Sequence, residues 1–237
     1  TITSTNLGAI RVERIAKPMK RYDFTYWSSP VVGQTLHAFS EFTLFDKYFS
    51  WNPSSGWQAH NYGAATMERG KGYIIRAPQS FPIASTNVFT GNFNGVPNNG
   101  EISVTDFQGS SSSEVWNLIG NPYPSAIDID VFLTDSDNSE ADGTIYLWTH
   151  NTPPFDNGSG TYSYTANDYA SYNLSGGTAT AAPLDPDDPL LTDNNTSAPV
   201  GGYVASGQSF FIKGLATGTI KFKNTMRVAL NNNNFFR

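Results

Sequence analysis

The sequence predicts an all-β fold, an antiparallel β-sandwich or jelly roll built from two similar halves. Three observations predict it. Short apolar runs recur between turn signals, helical periodicity is nearly absent, and one order of strand types occurs twice along the 237 residues. Aromatic residues make up 14% of the chain, and such side chains suit the pleated surface of a sheet. The 21 Gly and 14 Pro residues supply turns.

The expected strands follow in order: "YDFTYWSSP", "KGYIIRAP", "NVFTGNF", "EISVTDF", "VWNLIGNP", "GTIYLW", "GTYSY", "QSFFIKG" and "TIKFK". Strands this closely spaced, with no helices between them, argue a sandwich. The best helical candidate is "AIDIDVFLTD", residues 126–135. Residues 151–160 and 174–202 read as long exposed loops. "GSSSSE", residues 109–114, reads as a linker or hairpin tip.

The duplicated plan is a strand ending in Pro, a strand ending in Trp, a Gly-led strand and a final strand. In the first half these are "YWSSPV", "FSWNP", "GKGYII" and "NVFTGNFNG". In the second they are "LIGNPYPS", "YLWTHN", "GQSFFI" and "ATGTIKFKN". The boundary is placed between 1–108 and 109–237, within one compact unit. Gly72 and Gly207 are expected to matter for close packing or positive φ. The Asn121-Pro122-Tyr123-Pro124 corner reads as architecture, because neither proline can donate to a ladder. Tyr123 is expected to lay its ring on the core and keep its hydroxyl in water.

Charged residues are only 14% of the chain and the net charge is -6. No long basic stripe exists, which argues against nucleic acid. No apolar run approaches a membrane span. The absence of cysteine excludes disulfides and thiol chemistry. No signal peptide precedes Thr1, so an exported chain is expected to have lost it or to be a fragment.

No Gly-x-Ser-x-Gly elbow is present, and His37, His60 and His150 lack zinc-ligand spacing. These histidines read as surface or loop residues, and no catalytic residue is assigned. Calcium is the cofactor the residues would suit. Asp128, Asp130, Asp135, Asp137 and Asp142 cluster in sequence, and hard oxygens suit a hard cation. In a strand, Asp128 and Asp130 would share one face. The competing reading is a solvated acidic loop, which also covers "DPDDP" at 185–189. For a glycan or surface contact the candidates are Trp148, Tyr162, Tyr164, Tyr169 and Tyr172, mostly within "YSYTANDYASY".

The joint pattern of "YDFTYWSSPV", "GKGYIIRAP", "NLIGNPYPSAIDID", "GQSFFIKG", "FKNTMRV" and "NNNNFFR" resembles a module of secreted cell-surface proteins of Bacteroidetes, notably flavobacteria. That module sits upstream of a type A sorting domain of the type IX secretion system. Its usual Asp-Trp-Asp reads Asp128-Ile129-Asp130 here, so the aromatic is lost. The chain stops where the family would run on into the sorting signal, which suggests a fragment or removal on export. The resemblance implies export to the cell surface or release, and no reaction. The leading expectation is a non-enzymatic module with an adhesion, fibre or spacer role. The alternatives are a carbohydrate-binding module of a degradative enzyme and a secreted hydrolase. The expected partner is an extracellular or cell-surface protein, a glycan, or a second copy of the chain.

Overall fold

The structure, a computed structural model, describes residues 6–158, 161–180, 201–233 and 235. It is mostly β, with antiparallel sheets and two short helices. The first half runs β1 (Ile10–Ile15), β2 (Phe24–Trp27), α1 (Leu36–Phe39), β3 (Tyr48–Asn52), β4 (Gly56–Ala59), β5 (Tyr73–Arg76) and β6 (Thr90–Gly95). The second opens with β7 (Ile102–Phe107), β8 (Val115–Gly120), β9 (Ala126–Asp128), α2 (Ile129–Thr134) and β10 (Ala141–Trp148). It continues with β11 (Phe155–Asp156), β12 (Tyr162–Ser163), β13 (Tyr169–Asn173) and β14 (Gly176–Thr178). It closes with β15 (Tyr203–Val204), β16 (Ser209–Gly214), β17 (Gly218–Phe222) and β18 (Arg227–Val228).

The two halves share one topology. Sheet order β2-β5-β3-β4 in the first matches β8-β16-β10-β13 in the second, where β14 adds an edge. The ribbon β1-β6 matches the ribbon β7-β17. The strands led by "GKG" and "GQS" therefore hold equivalent central places. The expected boundary at 108/109 falls one strand late. β7 pairs with β17 and belongs to the second half, so the division lies within 96–101.

Each half is a small sandwich, because its main strands are apolar on both faces. Trp27, Tyr48, Tyr73 and Ile75 point one way and meet Phe93 of the β1-β6 ribbon, forming the first core. Ile119, Ile145, Phe210 and Ile212 do the same over Phe222 and Val104, forming the second. The alternate residues of these same strands point the other way. Phe24, Tyr26, Ile74, Leu118, Trp148 and Phe211 form a third, mostly aromatic layer between the halves.

Hydrogen bonds across the halves are reciprocal. The Gly120 N–H donates to Gly70 O at 2.9 Å, and the Ser28 N–H donates to Gly207 O at 2.8 Å. Lys71 bridges to Ile119 and Gln208 bridges to Trp27. Gly70 and Gly207 each have φ +78° at the point of crossing, where a side chain would be strained. Gly72 is needed for room, since a Cβ there would lie 2.5 Å from Leu118 Cγ.

The expected loop at 151–160 is partly a hairpin, because β11 pairs with β12. Asn151 at its base is buried. Of the loop at 174–202, residues 181–200 lie outside the described residues, and so does "DPDDP". Among the described residues no helix is long and apolar enough to cross a membrane.

Candidate functional site: an aromatic double cleft

The opening between the halves is a pair of adjoining clefts. The first, about 400 Å³, has walls of Phe24, Tyr26, Phe49 and Trp148, with Tyr164 and Thr165 at one side. The second, about 470 Å³, has walls of Trp51, Trp116, Tyr146 and Phe211. Trp57, Ala166 and Tyr169 line both. Each volume falls in the range of small-molecule sites.

The clefts are counterparts under the repeat, as the strand registers show. Phe49 faces Ile74, while Tyr146 faces Phe211. Phe24 faces Arg76, while Trp116 faces Lys213. Trp51 faces Trp57, while Trp148 faces Tyr169. Phe49 thus corresponds to Tyr146, Phe24 to Trp116, Trp51 to Trp148 and Trp57 to Tyr169. The indoles confirm this reciprocity. Trp51 Nε1–H donates to Trp116 O at 2.7 Å, and Trp148 Nε1–H donates to Phe24 O at 3.1 Å. Each half anchors the other's edge strand with an equivalent tryptophan.

Further hydrogen bonds tie the wall side chains to one another and to the backbone. The Tyr26 and Tyr169 hydroxyls bond each other at 2.5 Å, and burial raises both phenols above their ordinary pKa. Tyr164 OH donates to Tyr22 O at 2.8 Å. Trp57 is 41% exposed, and it packs edge-on against Trp51 at 4.9 Å between centroids. No lining side chain carries a formal charge. Lys213 stands at the edge, its Nζ 4.9 Å from the centre of the Trp116 ring.

The expected patch is only partly assembled here. Trp148, Tyr164 and Tyr169 line the first cleft. Trp148 is a buried wall, 4% exposed, rather than a surface platform. Tyr162 stacks on Tyr22 at 4.3 Å and is not part of the lining. Tyr172 is 9% exposed; it faces the second core and donates its hydroxyl to Asp130 Oδ1 at 2.7 Å. The strand alternation of β13 explains the split, since Tyr169 and Tyr172 leave opposite faces. Sequence reading missed Phe24, Tyr26, Phe49, Trp51, Trp116, Tyr146 and Phe211. For Phe24 and Tyr26, for Phe49 and Trp51, and for Tyr146 beside Trp148, the signal was a pair of aromatic residues at i and i+2 on one strand; Trp116 and Phe211 carry no such pair.

The structure gives the expected acidic residues partners within the protein and does not gather them into one cluster. The chain leaves β9 and enters α2 at Ile129, so Asp128 and Asp130 do not share a strand face. Asp128 caps the helix and accepts from the N–H groups of Asp130 and Val131. Asp135 accepts from the Asp137 N–H at 3.0 Å and lies 2.8 Å from Lys223 Nζ. Asp137 pairs with Lys223 at 2.8 Å and Lys221 at 3.3 Å. Hydrogen bonding to Lys223 holds both carboxyls below their ordinary pKa. Asp142 accepts from the Thr144 N–H at 3.0 Å, while burial raises its pKa. Among the described residues no group of three or more such side chains could hold a metal ion. The lysines come from β17 and the turn after it, which sequence spacing does not reveal.

The Asn121 corner is internal framework. Asn121 Oδ1 accepts from the Tyr123 N–H at 2.9 Å, and Nδ2 donates to Ser125 O at 2.8 Å and to Val204 O and Ala205 O at 3.1 Å. Tyr123 is fully buried, and its hydroxyl donates to Gly100 O at 2.6 Å instead of meeting water. The counterpart corner is Ser29-Pro30, and Asn98 Nδ2 ties the two by donating to Ser29 O and Pro122 O. One of the histidines expected at the surface or in loops lies in a loop, after β10, and is buried there. His150 is 2% exposed, with Nε2 2.9 Å from Asp23 Oδ1, held at φ +49°.

Comparison with known proteins adds a family. A family model described as a domain of unknown function, DUF8693, matches residues 1–237. The chain belongs to that family. No curated protein and no solved structure matches it.

Proposed function

We propose that the chain is a non-enzymatic binding module of an exported cell-surface protein, and that it holds a neutral glycan in the aromatic double cleft. The observation that carries this reading is the cleft itself, with walls of indole, phenol and phenyl rings and no charged lining group. A sugar ring has an apolar C–H face and a hydroxyl edge. The face packs on an aromatic ring, and the edge finds water or a phenolic hydroxyl at an open cleft. Export and surface display rest on the resemblance of the corner and Gly-led motifs to the secreted module.

A glycan array with the purified chain tests this. Binding of neutral polysaccharides is expected, and Trp57→Ala should weaken it by about tenfold, or about 1.4 kcal/mol. Trp57 is part-exposed, and a melting curve of the variant establishes that it is folded. No binding to any glycan, or binding unchanged by Trp57→Ala, defeats the reading.

A further inference from the structure

We infer that the two clefts are two subsites for one ligand, and that the ligand is a chain of repeating neutral sugar units spanning both. This rests on the glycan reading above and goes further by fixing the ligand's form. Three features lead to it. The clefts adjoin, since Trp57, Ala166 and Tyr169 line both. They are equivalent in position, because the strand registers superpose Phe49 on Tyr146 and Trp51 on Trp148. They are also alike in chemistry, with aromatic, uncharged walls and reciprocal indole-to-carbonyl bonds fixing each one.

Two like subsites fit a ligand that repeats. A single sugar would fill one cleft and leave the neighbouring aromatic wall in water. A protein side chain entering one cleft would leave the same surface uncovered. A chain long enough to cross Trp57 and Tyr169 covers both walls for one loss of translational freedom, so the second contact adds to affinity at high effective concentration. The pairing of the shared residues suits this, since Trp57 and Tyr169 are themselves counterparts and stand where the two subsites meet.

The test uses ladders of cello-, xylo- and manno-oligosaccharides of one to six units. They are titrated into the full chain by calorimetry and by tryptophan fluorescence. In at least one series, affinity is expected to rise by roughly tenfold or more once the chain is long enough to cover both subsites, and then to level off. Phe49→Ala removes a wall of the first cleft alone and Tyr146→Ala a wall of the second. Each should reduce the longest oligosaccharide to near the affinity of the shortest that binds. Melting curves establish that each variant is folded, and the wild-type ladder stands without them. A flat ladder in every series that binds overturns the two-subsite inference and leaves glycan binding standing. So does a hexasaccharide affinity lost in one folded variant and unchanged in the other. Failure of every ladder and every arrayed polysaccharide to bind overturns both readings, and capture of apolar peptides in their place would assign the cleft to a protein partner.

Discussion

Replacing Asn121 by alanine tests whether the corner is framework. The side chain is fully buried. Its removal leaves the Tyr123 N–H without the acceptor it has at 2.9 Å, and it takes a donor away from the carbonyls of Ser125, Val204 and Ala205. A buried unsatisfied group costs about 1–3 kcal/mol. The Tyr123 N–H together with the weakened carbonyls gives a loss of about 3 kcal/mol. For a chain of this size that is about 6–12 °C in melting temperature. Asn121→Asp should do worse at pH 7. It keeps the acceptor but turns a carboxylate toward three carbonyls, so its folded-state pKa rises and stability returns as pH falls. Asn121→Ser should fall between wild type and alanine, because the counterpart Ser29 Oγ accepts from the Val31 N–H at 3.3 Å. Differential scanning calorimetry at pH 7 and pH 5 reads all three. An alanine variant melting within about 2 °C of wild type would refute the accounting.

The remaining predictions concern the repeat and the ion pairs. Gly207→Ala should cost about 1–2 kcal/mol because its φ is +78°, and a denaturant midpoint that does not move contradicts this. Gly72→Ala should cost about 1–3 kcal/mol by overpacking, since its Cβ would meet Leu118 Cγ at 2.5 Å and Ser209 Cβ at 2.9 Å; a crystal structure showing both neighbours undisplaced in an equally stable variant would count against it. Lys223→Met should raise the pKa of Asp135 and Asp137 toward the ordinary carboxylate value, followed by NMR titration of the side-chain carboxyls. Both groups have depressed folded-state pKa values, so their stabilisation is present above the unfolded value of about 4 and is lost as pH falls through the folded one. Lys223→Met should therefore flatten the acid limb of the stability profile, and an unchanged limb would show that the network does not contribute. Calcium should not raise the melting temperature of wild type, and a clear calcium-dependent rise would reverse the assignment of the acidic residues to lysine pairing and helix capping.

Local chemistry along the chain decided much of this protein. Alternating apolar residues and closely spaced turns specified strands, because side chains leave a strand on opposite faces. The repeated Pro-ended, Trp-ended and Gly-led order specified two equivalent sheets, and those elements do occupy matching places. Pro122 and Pro124 specified a corner because they cannot extend a ladder. Tertiary structure decided the site. Tyr172 looked as exposed as Tyr169 in the sequence, yet the register of β13 against β10 sends one to the second core and the other to the cleft. Asp135 and Asp137 looked like cation ligands until the fold brought Lys223 to both from far along the chain. The double cleft exists only because the second apolar face of each sheet meets its counterpart in the other half. Burial, partner and face are long-range properties, set by which strand lies beside which, and a pattern along one strand does not contain them.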